Sequence, residues 1–141
     1  MRINAAVITV ALLASTSVAA APRTERWSAT SRTAMAITGD ITLSPTKLVM
    51  ARRAVLPLKV DSDTKTFATN TGNQAARILR VTKPANPKLL NGNSLCGTPV
   101  RWIAVYRSNG GRDLNLAAFS NSRRPTGESD TGLCGTFLYS R

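Results

Sequence analysis

The sequence predicts an all-β fold: a small single-domain barrel or sandwich of about eight antiparallel strands, lipocalin-like in size, with one disulfide. Short runs of alternating apolar and polar residues recur along the chain between clusters of turn residues. Beyond the first twenty residues no stretch carries helical periodicity. The two cysteines of the chain, Cys96 and Cys134, stand in matching Leu-Cys-Gly segments on either side of its clearest hairpin.

The first segment is read as lying outside that fold. Met1-Arg2-Ile3-Asn4 is a short basic start, Ala5–Ala14 is an apolar run too short to span a bilayer as a helix, and Val18-Ala19-Ala20 offers small residues for cleavage. Residues 1–20 are therefore expected to be a signal peptide, cut before Ala21 because a cut before Pro22 would place proline after the scissile bond. No cysteine follows the apolar run, which disfavours a lipid anchor. The 121 residues that remain of 141 suit one domain. Residues 21–32, with three arginines and a single large apolar side chain, Trp27, are expected to be a flexible lead-in to a β-domain over 33–141.

The strands follow in order. Thr33–Thr38 and Ile41–Ser44 flank Gly39-Asp40, which serves as a tight turn or as a bulge in one longer strand. Ser44-Pro45-Thr46 turns the chain into Lys47–Ala51. Val55–Val60 alternates with Leu56, Leu58 and Val60 on one side, and Pro57 implies an edge strand or a bulge because it cannot donate to a ladder. The polar run Asp61–Asn73 reads as a mobile loop with a short strand at Thr66–Thr69, and Ala75–Thr82 as the next strand. Lys83–Pro99 holds three prolines and Asn91-Gly92, so it is expected to be an ordered loop or one helical turn at Pro87–Leu90. After the hairpin come a second polar loop, Ser120–Thr131, and a last strand, Gly132–Ser140.

The hairpin joins Val100–Arg107 to Arg112–Phe119 through Ser108-Asn109-Gly110-Gly111, and its glycines supply the positive φ that tight turns need. A turn centred on Asn109-Gly110 sets Ile103 opposite Leu116 and Val105 opposite Leu114. Centring it on Gly110-Gly111 slips the pairing by two positions. Either way Ile103, Val105, Leu114 and Leu116 share one face, the expected core face, with Trp102 on the other.

Export would place Cys96 and Cys134 in an oxidising compartment, where an even cysteine count in a small domain implies a disulfide. Loss of Arg2 with the leader leaves 18 basic residues against 7 acidic, a net charge of +11, and 14 of the original 19 basic residues are arginine. Such a surface suits phosphates and carboxylates. Arg107 and Arg112 fall on the inward-turning face at the hairpin tip, placed to converge on an anion at a barrel mouth, and Arg101 falls on that face at the other end. Arg52-Arg53 and Arg123-Arg124 add to the basic surface.

Enzyme chemistry is poorly served. Histidine is absent, so no Ser-His-Asp or Cys-His machinery can form, and bonded cysteines offer no thiolate. Asp61 and Asp63 share a face of a polar segment, where solvation is expected rather than acid-base work. The same composition makes a poor zinc or calcium site, and no cofactor is implied. Trp27, Trp102 and Tyr106 are too scattered for a nucleic-acid stacking platform.

Ser31–Pro45, Leu95-Cys96-Gly97, Trp102-Ile103-Ala104-Val105 and Leu133-Cys134-Gly135-Thr136-Phe137 resemble small exported proteins of unknown function common in alphaproteobacteria. The resemblance implies an envelope location and a disulfide-bonded domain, and it transfers no activity and no site. The expected function is that of a non-enzymatic, monomeric binding protein, periplasmic or secreted. It would engage an anionic envelope component, by contact with a membrane surface among other routes, or an acidic protein. The alternatives are a small-ligand carrier, which requires an apolar cavity open at one end, and an inhibitor of an exported enzyme.

Overall fold

Among the described residues, eight antiparallel strands each pair with the next, and the last pairs with the first to close a barrel. The structure is a computed structural model that describes residues 10–15 and 23–141. The expected cleavage site, Val18-Ala19-Ala20, lies outside those residues. The strands are β1 Glu25–Ala29, β2 Ile41–Ser44, β3 Lys47–Val49, β4 Val55–Thr69, β5 Gly72–Ala85, β6 Val100–Ser108, β7 Asp113–Phe119 and β8 Leu133–Ser140. All connections are between neighbours, so the chain meanders once around the barrel.

Hairpin β6–β7 takes the register centred on Gly110-Gly111, with Val105 opposite Leu116 and Ile103 opposite Ala118. Gly110 and Gly111 have φ of 64° and 84°, the left-handed region that glycine tolerates. The predicted core face points inward as expected: Ile103, Val105, Leu114 and Leu116 join Leu48, Leu56, Leu79, Phe137 and Tyr139 in the barrel interior.

Three expectations are corrected. The lead-in is a strand: β1 pairs with β2 through Trp27 and Ile41 and with β8 through Ala29 and Tyr139. Trp27 is the one fully buried side chain of β1, between exposed Arg26 and Ser28. Asp61–Asn73 is no loop, because β4 runs to Thr69 and β5 starts at Gly72. Both faces of this outer hairpin are largely wet, so the apolar alternation that marks a strand is missing. Ladder pairs such as Asp63 with Arg77 hold it instead. Thr33–Thr38 is not a strand but contains one wide helical turn, Ala34–Thr38, closed by the Gly39 N–H on the Ala34 carbonyl at 2.8 Å. Gly39 has φ of 60° and its missing Cβ leaves room for Leu90.

That turn stoppers one end of the barrel. Ala34 and Leu89 are fully buried, and Asn91 and Asn93 donate from their side-chain amides to the Ala36 carbonyl. The short helical turn expected at Pro87–Leu90 lies at Leu90–Gly92. Cys96 is disulfide-bonded to Cys134 at this end, tying the β5–β6 loop to the start of β8.

A second apolar cluster lies outside the barrel. Phe67, Ile78, Trp102, Ala104, Ala117 and Phe119 pack together on the face opposite the main core. The loop between β7 and β8 roofs them: the Ala68 N–H donates to Thr126 and the Glu128 N–H to Ala68, at 3.1 and 2.8 Å. A Cβ on Gly127 would stand 2.7 Å from the Ala68 carbonyl oxygen, so only glycine fits this crossing.

Tyr139 is fully buried, with its hydroxyl 2.7 Å from the Thr38 hydroxyl. Burial pushes its pKa well above the usual phenol value, and the Thr38 hydrogen bond only partly opposes this. Burial and the Glu128 hydrogen bond raise Tyr106 likewise. An acid whose folded pKa is raised stabilises the fold fully below its unfolded pKa, here about 10, and loses that contribution as pH rises further. Denaturation midpoints are expected to fall above about pH 10, and less steeply in Tyr139→Phe. At neutral pH that variant should lose about 1 kcal/mol for the single hydrogen bond. An equally steep alkaline loss in Tyr139→Phe would assign the effect to other groups.

Candidate functional site

The end of the barrel opposite the disulfide stays open. Strands β4 and β5 run far past β3, which pairs only through Lys47–Val49, and Pro57 is the last residue of that ladder. Beyond it β4 loses its β3 ladder and is held on that side by single contacts, the Leu58 N–H on the Thr46 carbonyl and the Ala68 crossing with Thr126 and Glu128. A cavity of about 760 Å³ enters the barrel here, within the range of roughly 300–1,000 Å³ usual for small-molecule sites. Leu43, Leu79, Val105 and Leu114 line it together with Arg23, Glu25, Asp63, Lys65, Arg77 and Arg107. An apolar floor under a mixed rim with more cations than anions follows from strand alternation, since the last inward positions of β5 and β6 are Arg77 and Arg107.

Two rim cations are paired. Arg77 grips Asp63 with Nε on Oδ1 at 2.8 Å and Nη2 on Oδ2 at 3.1 Å, the two-nitrogen fork favoured by guanidinium and carboxylate. That hydrogen bond, against the opposing effect of burial and with the attraction of the two charges, holds the Asp63 carboxyl below the usual carboxylate value and raises Arg77. Both side chains are about half or more exposed, so the pair adds little to stability. Arg107 reaches Glu25 on β1 with Nη2 at 2.6 Å from Oε1, and Arg141 stands 3.7 Å from the same oxygen. Both guanidinium groups lie over the Trp27 ring, with Cζ at 5.3 and 4.6 Å from its centroid, a cation–π arrangement.

The predicted anion-binding residues are placed apart. Arg107 lines the cavity and Arg112 is exposed in the turn beside it. Arg101 is exposed near the other end of β6, six residues from Arg107, or roughly 20 Å along a strand. Only Arg107 of the three lines the mouth. Sequence reading missed Glu25, Trp27 and Arg77 as site residues. No repeating alternation marked β1, because Trp27 is the one large apolar residue of its run, whereas opposite charges spaced to face each other across the 61–77 hairpin offered a signal for the Asp63–Arg77 pair. Elsewhere on β4, Asp61 is paired with Arg124 at 2.6 Å. Slight burial raises its pKa, but the bonds to Arg124 and Ser62 and the charges of Arg124 and Arg80 bring it net below the usual carboxylate value. Neither aspartate is free for acid-base work.

Among the described residues, no cluster of three His, Cys, Asp or Glu could hold a metal. No helix among them is long and apolar enough to cross a membrane. A disulfide suits an oxidising compartment outside the cytoplasm. No family model, curated protein or solved structure matches the chain.

Proposed function

We propose that this is an exported, non-enzymatic binding protein of the cell envelope that takes a small amphipathic anion into its barrel mouth. The observation that carries this reading is the 760 Å³ cavity, where Leu43, Leu79, Val105 and Leu114 meet the basic rim of Arg23, Lys65, Arg77 and Arg107. An apolar body removes the floor leucines from water, and an anionic head meets the rim. The net charge of +11 left after loss of Arg2 with the leader concentrates such ligands around the protein and speeds their arrival. A cleaved signal peptide and a periplasmic or secreted location fit the leader composition and the disulfide.

Decyl phosphate, titrated below its critical micelle concentration and followed by calorimetry, tests the reading against decanol. Saturable binding of one decyl phosphate per chain is expected, weakening several-fold between about 50 and 500 mM salt as the rim charges are screened. No saturable binding would overturn the reading, and so would an affinity for decanol equal to that for decyl phosphate. Lys65→Glu should weaken decyl phosphate binding several-fold without lowering the melting temperature, because the Lys65 side chain is exposed.

A further inference from the structure

The Glu25 carboxylate, which lines the cavity with Arg107, sits where three donors converge. Arg107 Nη2 contacts both of its oxygens, at 2.6 and 2.7 Å, the Trp27 indole N–H donates to Oε2 at 3.3 Å, and Arg141 faces Oε1 from 3.7 Å. We propose that Glu25 is a resident stand-in for the ligand's head group, and that a phosphate monoester on an alkyl body displaces it to bridge Arg107, Arg141 and the Trp27 indole N–H. The inference rests on the mouth being a ligand site and names the subsite and the head group.

Three observations carry it. Arg107 holds Glu25 through a single nitrogen, whereas Arg77 holds Asp63 through the two-nitrogen fork on the same rim. A planar guanidinium offers five N–H groups, so most of the donors of Arg107 remain open to a better-shaped anion. The contact of Arg141 is too long for a hydrogen bond, leaving two guanidinium groups against one carboxylate and a local excess of positive charge. Trp27 is 2% exposed, and among the described residues Glu25 is the acceptor for its indole N–H. A buried N–H keeps an acceptor, so whatever takes the place of Glu25 must accept from the indole, as a phosphate oxygen does. The tetrahedral phosphate has three terminal oxygens for donors from three directions, which a planar carboxylate lacks.

The test compares wild type, Glu25→Gln, Arg107→Gln and the double variant, each titrated with decyl phosphate, decanoate and decanol. Glutamine keeps an acceptor for Trp27 and removes the competing charge. The affinity ratio of decyl phosphate to decanol is expected to rise about tenfold in Glu25→Gln, one competing charge-assisted contact being relieved. It should fall at least as far in Arg107→Gln, and the double variant should lose the gain. In the native chain, the Trp27 indole N–H resonance, assigned against Trp102→Phe, should shift on saturation with decyl phosphate and not with decanol. This readout does not depend on any variant at Glu25 folding. Wild-type binding with an unmoved Trp27 resonance, or with no gain in a folded Glu25→Gln, would overturn this inference and leave the carrier reading standing. Decanoate binding more tightly than decyl phosphate would overturn the phosphate assignment. No binding of any probe by any of the four proteins would overturn the carrier reading and this inference together.

Discussion

Replacing Cys96 and Cys134 together by serine is expected to cost roughly 4 kcal/mol, the loop-closure entropy of a link across 38 positions. In a domain of this size that lowers the melting temperature by about 10–20 °C. The link joins the start of β8 to the β5–β6 loop, which holds Pro87 and Pro99 and has no strand of its own. That loop delivers Leu89 and Leu95 to the core, the former fully buried. Asn86 and Ser94 brace it by side-chain hydrogen bonds to the Cys96 backbone. Without the tether, those few bonds must hold the stopper alone, and the barrel end opens first. Chemical denaturation of oxidised protein against the double serine variant measures the cost. A loss under about 1 kcal/mol would mean that the loop is held by its packing and the disulfide is dispensable.

Trp27→Ala is expected to cost about 3–5 kcal/mol, the range for emptying a buried aromatic site. The indole is 2% exposed, fills the barrel between β1 and the mouth, and carries two guanidinium groups on its faces. Its loss also leaves Glu25 without the indole donor and strips β1 of its one deeply buried side chain. Since β1 supplies the two pairs with β8 that close the barrel, opening of the β1–β8 seam should accompany the loss. It would be seen as faster amide exchange at Ser28, Ala29 and Tyr139. A cost below about 2 kcal/mol with unchanged exchange would show that β1 is an appendage and the barrel closes without it.

The outcome at Trp27 bears on how much of this molecule was legible beforehand. One apolar residue in an arginine-rich run gives alternation nothing to repeat, so β1 looked like a tail. The 61–73 segment failed because its side chains, buried Phe67 apart, largely meet water on both faces, so no repeating apolar pattern was written into it. In the β6–β7 hairpin the core face was legible because inward and outward residues differ in kind, while its two candidate registers left the same faces inward and could not be separated by pattern. Arg107 was recognisable as a mouth residue from its position at the tip of that hairpin. Its partner Glu25 lies 82 residues away on a strand that meets it only across the closed barrel.

Composition and alternation by themselves determined the all-β class, the inward face of the hairpin, the basic charge and the pairing of Cys96 with Cys134. These are local or global counts that need no knowledge of which strands become neighbours. The strand number agreed only because the missed β1 offset the strand wrongly expected at Thr33–Thr38. Closure of the meander, the stopper at Ala34–Thr38, the outer cluster around Phe67 and the contact of Arg107 and Arg141 with Trp27 and Glu25 were decided only in three dimensions. Each depends on groups far apart in the chain, and which of them meet is set by shear and packing around the whole barrel rather than by any neighbour in sequence.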